Sequence, residues 1–263
     1  MSTKTTNDAA KAFKALHIPG APLILANVWD ATSARTIASL PECKALATAS
    51  FAVALANGTE DTKLDLDTHL VALRDIAAVA RSAGKPLTVD LQDGYGDRLE
   101  EAVRGVIDLG VVGINLEDSD QATAAMIDEG AAVARVRRAL VAAADCGVPD
   151  FVVNARADSR LRGGSLDDSI RRGKLYLAAG ATTVYVLGGR PIKEDVEKLV
   201  EAFDGRVNTG LQLPQPSSLV KPLTTRELGE LGIARVSVGP QIYNSVIKTL
   251  KEAAGTIFGV SDA

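Results

Sequence analysis

The chain contains 263 residues, of which 46% are hydrophobic, and it carries a formal net charge of −4. This acidic balance does not favour nucleic-acid binding, and no stretch approaches the ~20 apolar residues that a membrane span requires. Because the chain has only two cysteines, a reduced, cytoplasmic protein is favoured over a disulfide scaffold. Its two histidines offer little material for a histidine-based metal site.

Residues 1–21 are polar and then amphipathic, which predicts a helical extension and not a secretory signal. Short runs rich in Val, Ile and Leu then alternate with helical patterns. Eight strands are predicted, over residues 22–29, 45–50, 86–92, 112–118, 150–157, 182–188, 206–212 and 235–239. Strands that alternate with helices are parallel, so residues 1–263 are predicted to form a single (β/α)8-barrel (TIM-barrel) domain, with a doubly wound open sheet as the alternative.

Polar residues end several of these strands, and active sites of barrels lie at the carboxyl ends of the strands. Because side chains alternate along a strand, Asp90 shares a face with Gln92, and Asn115 shares a face with Glu117. Arg156 lies on such a face in the fifth strand, where a buried guanidinium needs carboxylate partners. We expect it to pair with Glu117 or Asp158. The sequence therefore predicts a polar cup at the mouth of the barrel.

The segment VDLQDGYGD, residues 89–97, has three interpretations. A phosphate loop is disfavoured, because Leu99 breaks the glycine pattern and the acidic residues would repel phosphate. A Mg²⁺ site is reasonable, because Mg²⁺ takes carboxylate oxygens together with water and substrate oxygens. The third interpretation is an ordinary acidic turn in which Asp97 caps the next helix. When the segment is taken by itself, this interpretation fits it as well as a Mg²⁺ site does.

Seven motifs occur in order between about residues 22 and 243: LANVWDATSAR, ATASFAVALANG, VDLQDGYGD, GINLEDS, VNARADSRLRGG, AGATTVYVLGG and GIARVSVGP. Together they resemble the isocitrate lyase/phosphoenolpyruvate mutase superfamily, in particular its short phosphonomutase-like and 2-methylisocitrate-lyase-like members. The resemblance implies a barrel whose last helix is swapped between the subunits of a homodimer or homotetramer. It also implies Mg²⁺, or alternatively Mn²⁺, and an enolate-like intermediate of a small carboxylic acid.

Matched motif by motif, the resemblance also implies the roles of individual residues. The metal residues would be Asp90, Gln92 (where the family usually has a second acid) and Glu117. The catalytic residues would be Glu117, Arg156 and Asp61. The residues that contact the small-molecule carboxylate substrate would be Thr48, Ser50, Phe51, Arg156 and Asn208.

Residues 119–130, SDQATAAMIDEG, depart from the family pattern. Lyase members carry a Lys-Cys-Gly-His type loop here, whose Cys is a general acid, and mutase members carry an Asn; this segment contains neither. A water or Asp120 is left as the proton donor. Decarboxylation or hydrolysis of an oxaloacetate-type substrate is therefore favoured over methylisocitrate cleavage or mutase chemistry. The neutral Gln92 is expected to lower the affinity for the metal.

The leading hypothesis is a Mg²⁺-dependent lyase or hydrolase that cleaves a carbon–carbon bond of a small 2-oxo or 2-hydroxy (di)carboxylic acid. Two alternatives stay open. One is a phosphonate-processing C–P mutase or hydrolase, and the other is a barrel that binds a small acid without catalysis.

Overall fold

The computed structural model describes residues 4–189, 191–213 and 221–259. The strands are β1 (Leu23–Leu25), β2 (Asn27–Val28), β3 (Leu46–Thr48), β4 (Leu87–Asp90), β5 (Gly113–Glu117), β6 (Val152–Ala157), β7 (Thr183–Val186), β8 (Val207–Gly210) and β9 (Arg235–Ser237). The helices are α1 (Asn7–Lys14), α2 (Ala31–Ala38), α3 (Ser50–Ala56), α4 (Leu66–Ser82), α5 (Leu99–Asp108), α6 (Glu129–Asp145), α7 (Leu166–Ala178), α8 (Lys193–Phe203), α9 (Thr225–Glu230) and α10 (Gln241–Phe258).

The strands form one parallel sheet in the order β1-β9-β8-β7-β6-β5-β4-β3-β2. Its two end segments, β1 and β2, are consecutive in the chain and are separated only by Ala26. The sheet therefore closes on itself as a barrel whose first strand is split. Each of the eight predicted strands is present, so the (β/α)8 barrel is confirmed and the open-sheet alternative is wrong.

Asn27 closes the seam at the split strand. Its side-chain Nδ2 donates to the backbone oxygen of Thr48 at 2.7 Å. Its Oδ1 accepts from the backbone N–H groups of Val238 and Gly239, both at 2.9 Å. The side-chain amide of Asn27 thus joins the end of β3 to the chain just after β9, across the gap beside Ala26.

Local sequence signals set several helix boundaries. Capping boxes form at α7, with Ser165 and Asp168, and at α9, with Thr224 and Glu227. The expected cap by Asp97 does not form. Asp97 lies inside a short 3-10 helix, Gly96–Arg98, which precedes α5. The acidic-turn interpretation therefore loses its proposed structural role for Asp97.

Helix α1 covers the amino-terminal end of the barrel. Ala10 and Phe13 are fully buried on its inner side. The ring of Phe13 lies against Gly113, at the start of β5, where an added Cβ would be 3.2 Å from the ring. The predicted helical extension is thus packed over the end of the barrel opposite to the strand termini that carry the polar residues.

Helix α10 is packed differently from the other long helices. None of its 18 residues is buried, and Leu250, Ile257 and Phe258 are each more than 60% exposed. Its first turn contacts the barrel through Tyr243, whose ring meets that of Trp29 edge to face. Although α10 has an apolar side, no helix in the described ranges is long and apolar enough to cross a membrane.

Candidate active site

The polar strand ends converge on one cavity of about 320 Å³ at the carboxyl end of the barrel. The predicted site residues that line it are Thr48, Ser50, Phe51, Asp61, Asp90, Arg156 and Asn208. Two further predicted residues, Gln92 and Glu117, are buried beside the cavity and do not line it. The structure therefore brings most of the predicted substrate and metal residues together and places these two behind them.

Asp90, the last residue of β4, is fixed by several hydrogen bonds. Its Oδ2 accepts from the backbone N–H of Ser50 at 3.1 Å and from the Ser50 hydroxyl at 3.0 Å. Its Oδ1 accepts from Nδ2 of Asn115 at 2.8 Å, and its backbone N–H donates to Oγ1 of Thr48 at 3.0 Å. A carboxylate offers about four lone-pair directions, so Asp90 keeps acceptor capacity toward the cavity.

Asp61 lies beside Asp90 and is oriented by Gln92. Nε2 of Gln92 donates to the backbone oxygen of Asp61 at 2.7 Å and to its Oδ1 at 2.8 Å. Burial raises the pKa of the Asp61 carboxyl, and the nearby negative charge of Asp90 raises it further. Gln92 thus acts on the site through Asp61, and two carboxylates share one wall of the cavity.

The loop after β4 adopts backbone conformations that side chains rarely take. Gln92 has φ 54° and Tyr95 has φ 61°, in the left-handed region that costs a non-glycine residue roughly 1–2 kcal/mol. Asp93 holds the turn by accepting from the backbone N–H of Tyr95 at 2.9 Å. The Tyr95 hydroxyl lies 2.6 Å from Nδ1 of the buried His69 in α4. His69, which was not among the predicted site residues, therefore anchors this loop.

Arg156 lies on β6 opposite Glu117 on β5, as the register of the two strands requires. Its Nη1 is 2.5 Å from Oε1 of Glu117, and its Nε and Nη2 donate to Asp158 at 2.7 and 2.9 Å. Burial alone would lower the pKa of Arg156, but the two carboxylates outweigh it and raise the pKa. The predicted pairing is confirmed with both partners. Because Nη1 and Nη2 each carry a second N–H, donors remain for a ligand.

Asp118 supports this ion-pair network from outside the cavity. Its Oδ1 accepts from the backbone N–H of Asp158 at 2.7 Å. Its Oδ2 accepts from the Tyr176 hydroxyl at 2.6 Å and from Nη1 of Arg172 at 3.2 Å. Asp118 therefore has a structural role, whereas Glu117 contacts Arg156 directly.

The segment after β5 contributes Gln121 to the cavity, a residue that sequence reasoning did not select. Its backbone N–H donates to Oδ2 of Asp93 at 3.3 Å, which ties the segment to the loop after β4. Asp120, the expected alternative to water as proton donor, does not line the cavity. Its Oδ1 accepts two hydrogen bonds from Thr123, which lower the pKa of Asp120. The structure therefore disfavours Asp120 in that role.

The carboxylates of the cavity suit Mg²⁺ bound mainly through water and substrate. The described residues contain no group of three or more His, Cys, Asp or Glu side chains that could hold a metal by themselves. Mg²⁺ in enzymes often needs only one or two carboxylates, with waters and substrate oxygens as the other ligands. Among the described residues that line the cavity, Asp61 and Asp90 are the carboxylates, and they meet this requirement.

Comparison with known proteins assigns the family. The phosphoenolpyruvate phosphomutase family model matches residues 13–258, so the chain belongs to that family. An uncharacterised protein of Mycobacterium tuberculosis is 32% identical, over 94% of this chain and 88% of its own. The phosphonopyruvate hydrolase of Variovorax sp. is 29% identical, over 80% of this chain and 70% of its own. An oxaloacetate decarboxylase of Rhodopseudomonas palustris is 24% identical, over 97% of this chain and 86% of its own.

Solved structures share the same barrel. A Burkholderia cenocepacia protein, described provisionally as a phosphonomutase, has a TM-score of 0.82 at 36% identity, covering 96% of this chain and 99% of its own. Two neighbours at lower identity show the fold alone. Oxaloacetate acetylhydrolase with the inhibitor 3,3-difluorooxalacetate has a TM-score of 0.81 at 22% identity, covering 94% and 85%. Phosphonopyruvate hydrolase with oxalate and Mg²⁺ has a TM-score of 0.80 at 20% identity, covering 95% and 88%.

These findings confirm the superfamily resemblance. The superfamily includes lyases and hydrolases that act on small acids such as oxaloacetate, phosphonopyruvate and dimethylmalate.

Proposed function

We propose that this protein is a Mg²⁺-dependent lyase or hydrolase that cleaves a carbon–carbon bond of a small 2-oxo or 2-hydroxy (di)carboxylic acid, with oxaloacetate as the representative substrate. The observation that carries the proposal is that Asp90, Asp61 and Arg156 line the same cavity, with the two carboxylates close enough to raise the pKa of Asp61 and with Arg156 keeping spare N–H groups. The segment 119–130, which lacks the family's loop acid, favours reactions that need less from that loop.

The predicted residues in and beside the cavity would have different roles in this reaction. When bound, Mg²⁺ supplies Lewis acidity that stabilises the negative charge developing on the 2-oxo oxygen. Asp90 and Asp61 would hold the ion, and Ser50 keeps the Asp90 carboxylate in one orientation. Arg156 presents its second Nη–H groups to a substrate carboxylate, and Asn208 and Phe51 shape the space around the carbon chain. Glu117 holds the Arg156 guanidinium in position.

The proposal is tested by turnover of oxaloacetate by metal-stripped protein. We expect pyruvate or acetate and oxalate to appear when Mg²⁺ or Mn²⁺ is added, and turnover to stop in EDTA. Heat-inactivated protein is the control for decarboxylation by the free metal. Binding of oxalate, measured by calorimetry, without turnover of any small 2-oxo acid would contradict catalysis and support a barrel that only binds.

A second candidate is phosphonate processing, favoured by the 29% identity to a phosphonopyruvate hydrolase over most of the chain. The same cavity would take a phosphonate in place of the distal carboxylate. Phosphorus NMR of phosphonopyruvate separates the two candidates, because hydrolysis releases inorganic phosphate and a mutase instead yields a new phosphate ester.

We also propose that the protein is a homodimer or homotetramer in which α10 packs on another subunit. The support is the apolar side of α10, including Leu250, Ile257 and Phe258, which no other part of the described ranges covers. We expect light scattering to report an oligomer, and the double variant Leu250→Glu/Ile257→Glu to shift it toward monomer. Lys248→Glu, a charge change on the same helix, is the control. A wild-type monomer would contradict this assembly.

A further inference from the structure

Arg235, the first residue of β9, points into the interior of the barrel and lines the same cavity as Asp90 and Arg156. Its side chain is almost completely buried, with 3% of the residue exposed. Ser237, in the same strand, also lines the cavity. Arg235 lies two residues earlier and therefore shares its face.

This guanidinium lacks the partners that a buried charge normally has. Among the described residues, no carboxylate forms an ion pair with Arg235, and its Nε and Nη1 have no hydrogen-bond partner. The hydroxyl of Thr88, which also lines the cavity, is likewise buried without a partner. Burial lowers the pKa of Arg235 to about 10, while attraction by Asp90 raises it, so the group stays charged at neutral pH.

Arg156 shows the contrasting arrangement in the same cavity. Its charge is balanced by Glu117 and Asp158, both in direct contact. Arg162 also lines the cavity, but it is exposed, and its Nη2 donates to the hydroxyl of Ser119 at 3.3 Å. Within the part of the chain that the structure describes, Arg235 is therefore a buried cation of this cavity whose charge no contacting carboxylate balances. An uncompensated buried charge weakens the fold, and such a cost is commonly found where a ligand is bound.

We propose that Arg235 is a specificity-determining residue that binds a second acidic group of the substrate, a carboxylate on the carbon chain beyond the 2-oxo acid. This inference rests on the proposed function, in which Asp90 and Ser50 mark the place of the 2-oxo acid end. The substrate class is then a 2-oxo dicarboxylate, and a 2-oxo monocarboxylate would leave Arg235 unpaired. Donors without partners discriminate strongly against ligands that cannot satisfy them.

The test compares two unreactive ligands in the presence of Mg²⁺ by calorimetry. Oxalate represents the 2-oxo acid end alone, and 3,3-difluorooxaloacetate adds the distal carboxylate. We expect Arg235→Met to weaken binding of difluorooxaloacetate by about 10- to 100-fold, since hydrogen bonds to charged groups are the stronger ones. Binding of oxalate should change by less than about threefold, because oxalate carries no distal carboxylate for Arg235 to bind. Arg235→Lys, which keeps the charge, should weaken binding of difluorooxaloacetate by less than Arg235→Met does.

A readout of stability separates binding from a structural role. Without ligand, we expect the Tm of Arg235→Met to equal or exceed that of the wild type, because the variant removes a buried charge without a partner. A lower Tm with unchanged relative affinity for the two ligands would overturn the inference. Selective loss of difluorooxaloacetate binding in Arg162→Met, with Arg235→Met unaffected, would overturn it as well.

The failure of the inference is distinguishable from failure of the proposed function. Wild-type protein that binds neither ligand in Mg²⁺ would overturn the proposed function and, with it, the role of Arg235. Wild-type protein that binds both, with Arg235→Met weakening both equally, would overturn the inference alone.

Discussion

Replacing Asp90 by Asn is expected to reduce kcat/KM for a 2-oxo acid roughly 10³-fold, because under the proposed function the variant removes a charge that would hold the metal and with it the stabilisation of developing negative charge. Asn has nearly the shape of Asp but carries one donor group. Ser50 and Asn115 both donate to Asp90, so the amide nitrogen must face a donor. We therefore expect a small loss of stability in addition, of about 1 kcal/mol.

The measurement is turnover as a function of Mg²⁺, combined with the rise of Tm on adding Mg²⁺. A metal that binds only the native state raises Tm, and the rise should vanish in Asp90→Asn. The matched control is Asp97→Asn in the same loop, where the side chain is exposed and does not line the cavity. Turnover by Asp90→Asn close to that of Asp97→Asn would remove Asp90 from the metal site.

Replacing Arg156 by Met is expected to lower the free energy of unfolding by about 3–5 kcal/mol, since it leaves two buried carboxylates without their cation. Glu117 and Asp158 have side chains 2% and 0% exposed, so neither can recover hydration in place. Activity should be lost with the donor to the substrate carboxylate. Urea unfolding at neutral pH gives the stability change.

Two further variants show whether the unbalanced buried charge causes the loss of stability in Arg156→Met. Arg104→Met, on the exposed side of α5, should change stability by less than about 0.5 kcal/mol. Adding Glu117→Gln to Arg156→Met should restore part of the lost stability, because it removes one unbalanced charge. A loss below about 1 kcal/mol in Arg156→Met would show that the ion pairs are not needed for the fold.

The sequence predicted the architecture and the faces of the strands well. Alternation of apolar runs and helical patterns required parallel strands, and period-two spacing placed Asn115 and Glu117 on the inner face. The contact of Arg156 with Glu117 and Asp158 followed from the same spacing together with the need of a buried guanidinium for partners. These inferences succeed because they depend on local periodicity and on the sign of charge.

Predictions failed where they depended on backbone turns and on competition between partners. Nothing in the spacing shows that Gln92 takes a positive φ and turns its amide to Asp61. The sequence does not show that Asp120 is engaged, but in the structure its carboxylate accepts a hydrogen bond from the hydroxyl of Thr123. Arg235 was overlooked although the period-two spacing from Ser237 places it inside, because a buried arginine without an acid in register is an unusual arrangement.

The seam at the split first strand also bears on how the chain reaches its native state. Strand β1 pairs with β9. Asn27 accepts hydrogen bonds from Val238 and Gly239, which lie 211 and 212 positions later in the chain. Closing so long a loop is slow, and domains that depend on distant contacts fold slowly. During synthesis the amino-terminal strands emerge first, so the sheet keeps two unpaired edges until the last strand arrives. Asn27, which also lines the cavity, thus makes contacts that can form only when the last strand is in place.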